Sequence, residues 1–195
     1  MAPDTVSPTP YEIGVIHGRF QILHNDHLRY LLAGMNLCRH LVVGITNPDP
    51  HLSREDQADP HRSTAMANPL TYYERLQMIR LCLEEEGIPL SAFTIVPLPI
   101  NMPDLFRYYV PMDAVFFLTI YDDWGRKKLR DFKSLGLLTH VLWDVNPEQK
   151  GISAADVRRR ILAGEPWEHL VPARVSAFLR SLDIQERLRQ IQHNP

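Results

Sequence analysis

The stretch that decides the fold runs from Ile13-Gly14-Val15-Ile16 through Gly18-Arg19-Phe20-Gln21-Ile22-Leu23-His24-Asn25-Asp26-His27, and on into Leu28, Leu31, Leu32 and Met35. The β-branched run predicts a buried strand. The leucines at three- and four-residue spacing predict a helix from about Asp26 to Cys38. A strand that feeds a helix through a polar turn opens a parallel βαβ unit.

The rest of the chain repeats this alternation. Further strands are predicted at Leu41–Ile45, Phe93–Leu98, Ala114–Thr119 and Leu138–Trp143. Thr71-Tyr72-Tyr73-Glu74 reads as a capping box opening a helix that stops at Gly87. Pro103 opens a short helix, and a basic helix covers about Arg126–Leu135. Ser153-Ala154-Ala155-Asp156 opens another helix through Leu162, and helical stretches at about 172–182 and 184–192 finish the chain. Such a pattern predicts an α/β fold, a central parallel sheet of about five strands with helices on both faces and extra C-terminal helices. Residues 1–10 read as a loose arm, 11–170 as the main domain and 171–195 as its helical extension.

The chain has 195 residues, enough for one domain with a sizeable core. A formal charge of -2 argues against an electrostatic nucleic-acid binder. Cys38 and Cys82 lie in apolar periodic stretches and read as buried thiols of a reducing, cytoplasmic compartment. No apolar run approaches the roughly 18 residues of a membrane span. Residues 47–69 form a long polar loop, of the length that usually carries function.

Two places carry chemistry. At the first, His24 and His27 are three residues apart at a helix start, beside Arg19. Free helix-start N–H groups, two imidazoles and a guanidinium suit phosphate. There they would steady charge that grows during phosphoryl or nucleotidyl transfer. No Cys or carboxylate at ligand spacing accompanies the pair, which argues against zinc. Asn25 or Asp26 reads as the helix N-cap. At the second, Gly151 to Arg160, a capped helix N-terminus precedes Arg158, again an anion site. Ser153 would supply the hydroxyl, Arg158 the clamp and Lys150 additional charge.

The first string resembles the signature of the nucleotidyltransferase superfamily, Gly-Arg-Phe-Gln-Pro-x-His-x-Gly-His. It matches at Gly18, Arg19, Phe20, Gln21, His24 and His27 and departs at Ile22 and Asp26. The second, with Ile152, Ser153, Val157 and Arg158, resembles the same superfamily's phosphate-binding motif. The resemblance implies a Rossmann-like three-layer sandwich. Val157 to Ile161 followed by Gly164, Trp167 and Leu170-Val171-Pro172, with Asn68-Pro69-Leu70-Thr71 and Glu74-Arg75, is similar to archaeal-type nicotinamide-mononucleotide adenylyltransferases. On that likeness Arg54 or Arg62 would assist the triphosphate. The acceptor pocket departs from this pattern, and Asn101, Phe106, Tyr108 and Trp124 are the candidates for it.

The implied reaction joins a nucleoside triphosphate, ATP in the first instance, to a phosphate acceptor, nicotinamide mononucleotide, with loss of pyrophosphate. Mg²⁺ would arrive on the triphosphate. The catalytic set would be His24, His27, Arg19, Ser153 and Arg158, with Gly18, Phe20, Gln21, Ile152, Lys150 and the loop arginines around the nucleotide. The alternatives are a cytidylyltransferase acting on a small phosphate or phosphonate, a pantetheine-phosphate adenylyltransferase, and a non-catalytic nucleotide-binding domain. A class I aminoacyl-tRNA synthetase fragment is disfavoured, because no Lys-Met-Ser-Lys-Ser-like loop is present. Homo-oligomers of the adenylyltransferase relatives make self-association an expectation.

Overall fold

The computed structural model describes residues 10–49, 64–146, 148 and 151–193. Residues 1–9 of the expected arm at 1–10, most of the polar loop with Arg54 and Arg62, and Lys150 lie outside the described residues.

Five strands form one parallel sheet in the order β3-β2-β1-β4-β5. They are β1 (Tyr11–Gly18), β2 (Cys38–Thr46), β3 (Phe93–Leu98), β4 (Val115–Ile120) and β5 (Leu138–Asp144). The helices are α1 (Asn25–Met35), α2 (Tyr72–Glu85), α3 (Asp123–Ser134), α4 (Ala154–Ala163), α5 (Ala173–Ser181) and α6 (Ile184–His193). Every predicted strand and helix is present. The first helix stops at Met35, short of the expected Cys38, because the chain must turn back into β2 at Cys38.

Right-handed crossovers set the layers. The sheet grows from β1 towards β3 in one direction and from β1 through β4 to β5 in the other, so α1 and α3 lie on opposite faces. One face buries Ile16, Leu31, Val43, Ile79 and Leu83 together with Val157, Val175, Leu179 and Leu188 of the C-terminal helices. The other buries Val15, Phe116 and Leu118 against Phe106, Phe132 and Leu137. The C-terminal helices thus share a core with the sheet. Arg187 of α6 adds an ion pair with Glu74 of α2 at 2.8 Å.

The sheet reverses its direction of growth between β1 and β4. In open parallel sheets, the crevice beyond the strand ends at such a switch point is where ligands bind. Both chemical stretches lie at this crevice.

Candidate active site

A cavity of about 320 Å³ opens at the switch point. Gly18, Arg19, His24, Asp26 and His27 line it from the β1–α1 side, and Gly151, Ile152, Ser153 and Arg158 from the α4 side. The two stretches, more than a hundred residues apart, therefore form one site. Thr119 and Tyr121 at the end of β4 and Lys128 of α3 complete the wall.

Direct bonds tie the two stretches together. The Asp26 carboxylate accepts the Ile152 N–H at 2.7 Å, and the Arg158 guanidinium donates to the Gln21 carbonyl. Asn25 donates to the His169 carbonyl at 3.0 Å. This corrects the expected N-cap: α1 begins at Asn25 with His24 in the cap position and no side-chain cap bond. Asp26 is a latch between the motifs. It also explains Gly151, where an added Cβ would overlap the Asp26 carboxylate.

His24 and His27 stack, ring centroids 3.8 Å apart and planes 25° from parallel. The Phe20 ring meets His27 edge-on at 5.1 Å. Among the described residues, Nδ1 of each histidine is buried without a hydrogen-bond partner. Burial lowers His24 to about 4, with Asp26 and Asp156 pulling in the opposite direction. Burial also takes His27 well below its ordinary value, reinforced by His24 and Arg19, although a contact with the Ile22 backbone opposes this. Both rings are neutral near pH 7 and each offers one N–H.

Three expected nucleotide contacts, Phe20, Gln21 and Ile152, line the cavity and also hold the fold together. Phe20 is fully buried with a positive φ of 53° and serves as packing beneath His27. The Gln21 amide is spent on the Leu70 backbone, donating at 2.8 Å and accepting at 2.9 Å. The Ile152 N–H is held by Asp26. The Ser153 hydroxyl is likewise engaged: it accepts the Asp156 N–H at 3.1 Å as the α4 cap and donates to the Asp156 carboxylate. Ala154 and Ala155, whose first-turn N–H groups helix geometry leaves without intrahelical acceptors, line the site.

Positive charge concentrates beside them. Burial first, then Arg19, pushes Arg158 down to about 10. Arg75 falls to about 10 for the same leading reason, with Arg19 again contributing. Two crowded guanidiniums are a poor arrangement without an anion and a good one with it. In the sequence, Arg75 stands out only as part of the Glu74-Arg75 pair. It is 2% exposed and donates to the carbonyls of Arg19, Thr46, Asn47 and Thr71 at 2.8–3.2 Å. It thereby fastens α2 to the ends of β1 and β2 and fixes the backbone that carries Arg19. Thr71 and Glu74 form the predicted capping box at the start of the same helix.

The expected acceptor residues are not brought to the cavity. Phe106 is fully buried between Phe116 and Phe132. Tyr108 is 68% exposed beneath Arg107, and Asn101 lies exposed in the segment before Pro103. Trp124 follows the α3 cap Asp122, and its ring supports the Lys128 ammonium 4.3 Å away. Sequence reading missed Lys128, Thr119, Tyr121 and His17. A polar residue at an inward-facing position of an apolar strand was the available signal for His17. Among the described residues no three His, Cys, Asp or Glu side chains gather as a metal site, and no helix is long and apolar enough to cross a membrane.

Comparison with known proteins agrees with this geometry. The family described as cytidylyltransferase-like matches residues 15–160. A phosphonoformate cytidylyltransferase of Streptomyces viridochromogenes is 49% identical over 176 residues, 90% of this chain and 95% of its own. A nicotinamide-nucleotide adenylyltransferase of Pyrococcus horikoshii is 30% identical over 183 residues, 93% of this chain and 89% of its own. In fold, the chain resembles a bifunctional NMN adenylyltransferase/ADP ribose pyrophosphatase of Francisella tularensis, with a TM-score of 0.68 and 17% identity, over 94% of this chain and 53% of that one. With the two motifs meeting at one cavity and a family match over most of its length, the chain belongs to the cytidylyltransferase-like family of nucleotidyltransferases.

Proposed function

We propose that this nucleotidyltransferase moves a cytidylyl group from CTP to a small phosphonate or phosphate, releasing pyrophosphate. The observation that carries this reading is the make-up of the cavity wall. None of Asn101, Phe106, Tyr108 and Trp124 borders it, so none of the residues expected to hold nicotinamide mononucleotide lines the cavity. A volume of about 320 Å³ lies at the small end for ligand pockets. The relative named for phosphonoformate is 49% identical, against 30% for the adenylyltransferase of Pyrococcus horikoshii. These features favour the small acceptor over ATP with nicotinamide mononucleotide, the pair that the motif resemblance suggested first.

The reaction needs no side-chain nucleophile. An ionised acceptor oxygen attacks the α-phosphorus, a new P–O bond forms, the α–β bridging bond breaks, and pyrophosphate takes the electron pair. The protein positions the reactants and neutralises charge. The N–H groups of His24 and His27 face the charge that develops on the triphosphate. Arg19, Arg158 and the first turn of α4 hold the departing pyrophosphate. Mg²⁺ enters as part of the metal–triphosphate substrate.

The test is a matrix of CTP, ATP, GTP and UTP against phosphonoformate, methylphosphonate, nicotinamide mononucleotide and phosphopantetheine, scored by pyrophosphate release. The highest kcat/KM is expected for CTP with a small phosphonate. ATP with nicotinamide mononucleotide as the best pair would overturn the reading, and nucleotide binding without pyrophosphate from any pair would favour a non-catalytic domain.

A further inference from the structure

One side chain in the cavity is explained by neither the triphosphate nor the fold. His17 is the residue before Gly18, at the end of β1, on the same sheet face as Val15 and at the β1–β4 crevice. It is 6% exposed, and among the described residues neither ring nitrogen has a hydrogen-bond partner. Its ring lies against Phe132, with centroids 5.3 Å apart. The neighbouring inward positions of β1 and β4 hold Val15, Phe116 and Leu118, so an apolar residue would suit the core here. A buried imidazole with both nitrogens idle costs stability. Polar groups left idle in a buried site are a mark of ligand binding. Lys128 borders the same part of the cavity and is near enough to disfavour a charge on His17. Burial and that neighbour keep the imidazole neutral, with one N–H to donate and one lone pair to accept.

We propose that His17 and Lys128 form the acceptor end of the site and read a second acidic group, so that the preferred acceptor is a short phosphonate carrying a carboxylate. This rests on the cytidylyltransferase reading above and specifies its acceptor. His17 donates to one carboxylate oxygen while Lys128, held over Trp124, supplies the charge. Phe132 closes the inner wall behind His17, which limits the acceptor to a compact molecule. The phosphonate end then points towards Arg19 and the histidine pair, where the triphosphate lies.

The experiment compares wild type, His17→Leu and Lys128→Met with CTP and either phosphonoformate or methylphosphonate, the latter lacking the carboxylate. Wild type should prefer phosphonoformate. His17→Leu should raise the KM for phosphonoformate by about tenfold or more, the scale of a lost hydrogen bond to a charged group. The KM for CTP should stay within about twofold, and the KM for methylphosphonate should barely move. Because the substitution removes idle polar atoms from a buried site, the Tm of His17→Leu should be equal to or above that of wild type. Lys128→Met should narrow the same preference. An unchanged KM for phosphonoformate in both variants, or a His17→Leu protein with a lower Tm and equally raised KM values for both substrates, would overturn the proposal. If wild type uses phosphonates but does not discriminate between the two, this proposal falls while the cytidylyltransferase reading stands. If it uses nicotinamide mononucleotide and no phosphonate, the cytidylyltransferase reading falls and takes this proposal with it.

Discussion

The two ends of the cavity are built differently. At the triphosphate end the polar groups are mostly occupied before any ligand arrives: Asp26 holds Ile152, Arg158 holds the Gln21 carbonyl, Ser153 holds Asp156, and Arg75 holds four carbonyls. Among the described residues, His24 and His27 each keep one ring nitrogen, Nδ1, without a partner there, whereas at the acceptor end His17 has both ring nitrogens idle. The first end is set up to keep donors still, which suits the stabilisation of charge in a transition state. The second holds an unmet hydrogen-bonding demand, which suits selection of a particular acceptor.

The contrast can be broken most severely at Arg75. Arg75→Met would leave the carbonyls of Arg19, Thr46, Asn47 and Thr71 without their donor, and a stability loss of more than about 3 kcal/mol is expected in urea unfolding. A loss under about 1 kcal/mol would show that the prebuilt end does not depend on it. Next is His27→Ala, for which kcat should fall by roughly 10²-fold or more, the usual scale for losing an electrostatic donor. Near-normal turnover removes His27 from the mechanism. Arg158→Lys keeps a charge and loses the planar fork that reaches Gln21. It should raise the KM for CTP by about tenfold while the acceptor KM changes little, and the reverse pattern would exchange the two ends.

Asp26→Ala sharpens the comparison at smaller cost. Losing one hydrogen bond between a carboxylate and a backbone N–H should lower stability by about 1–2 kcal/mol, and Asp26→Asn, which keeps an acceptor oxygen, should lose less. Equal losses would mean that the charge matters and the bond does not. A further effect concerns pH. His24 falls from 6.5 to about 4 on folding, and His27 and His17 are also lowered by burial. Between those values the unfolded chain binds more protons than the folded one, so stability rises with pH. It is complete above about 6.5 and is lost as pH falls towards and through about 4. The urea midpoint should therefore be lower at pH 5 than at pH 7.5, and an unchanged midpoint would contradict buried, neutral histidines.

Much of this was legible in the residues. Strand runs, helical spacing and the Thr71–Glu74 capping box are local patterns, and local patterns survive folding. The two phosphate stretches were legible as types of sequence, and the switch point brings both to one crevice. Side-chain partners were not legible, because they depend on which residue arrives from across the fold. Gln21 meets Leu70 from 49 positions away, and Asp26 meets Ile152 from 126 away. Phe106 misled because it lies in a six-residue 3-10 segment, too short for periodicity to reveal its buried face. His17 stayed hidden because nothing in its local sequence says that its neighbours leave it without partners.

The most direct measurement is a crystal structure of the protein with CTP, Mg²⁺ and an unreactive phosphonate. The account predicts the triphosphate tail between the His24–His27 pair and the first turn of α4, with the phosphonate molecule on the His17 side. A triphosphate lying against His17 and Lys128, with nothing bridging α1 and α4, would contradict it.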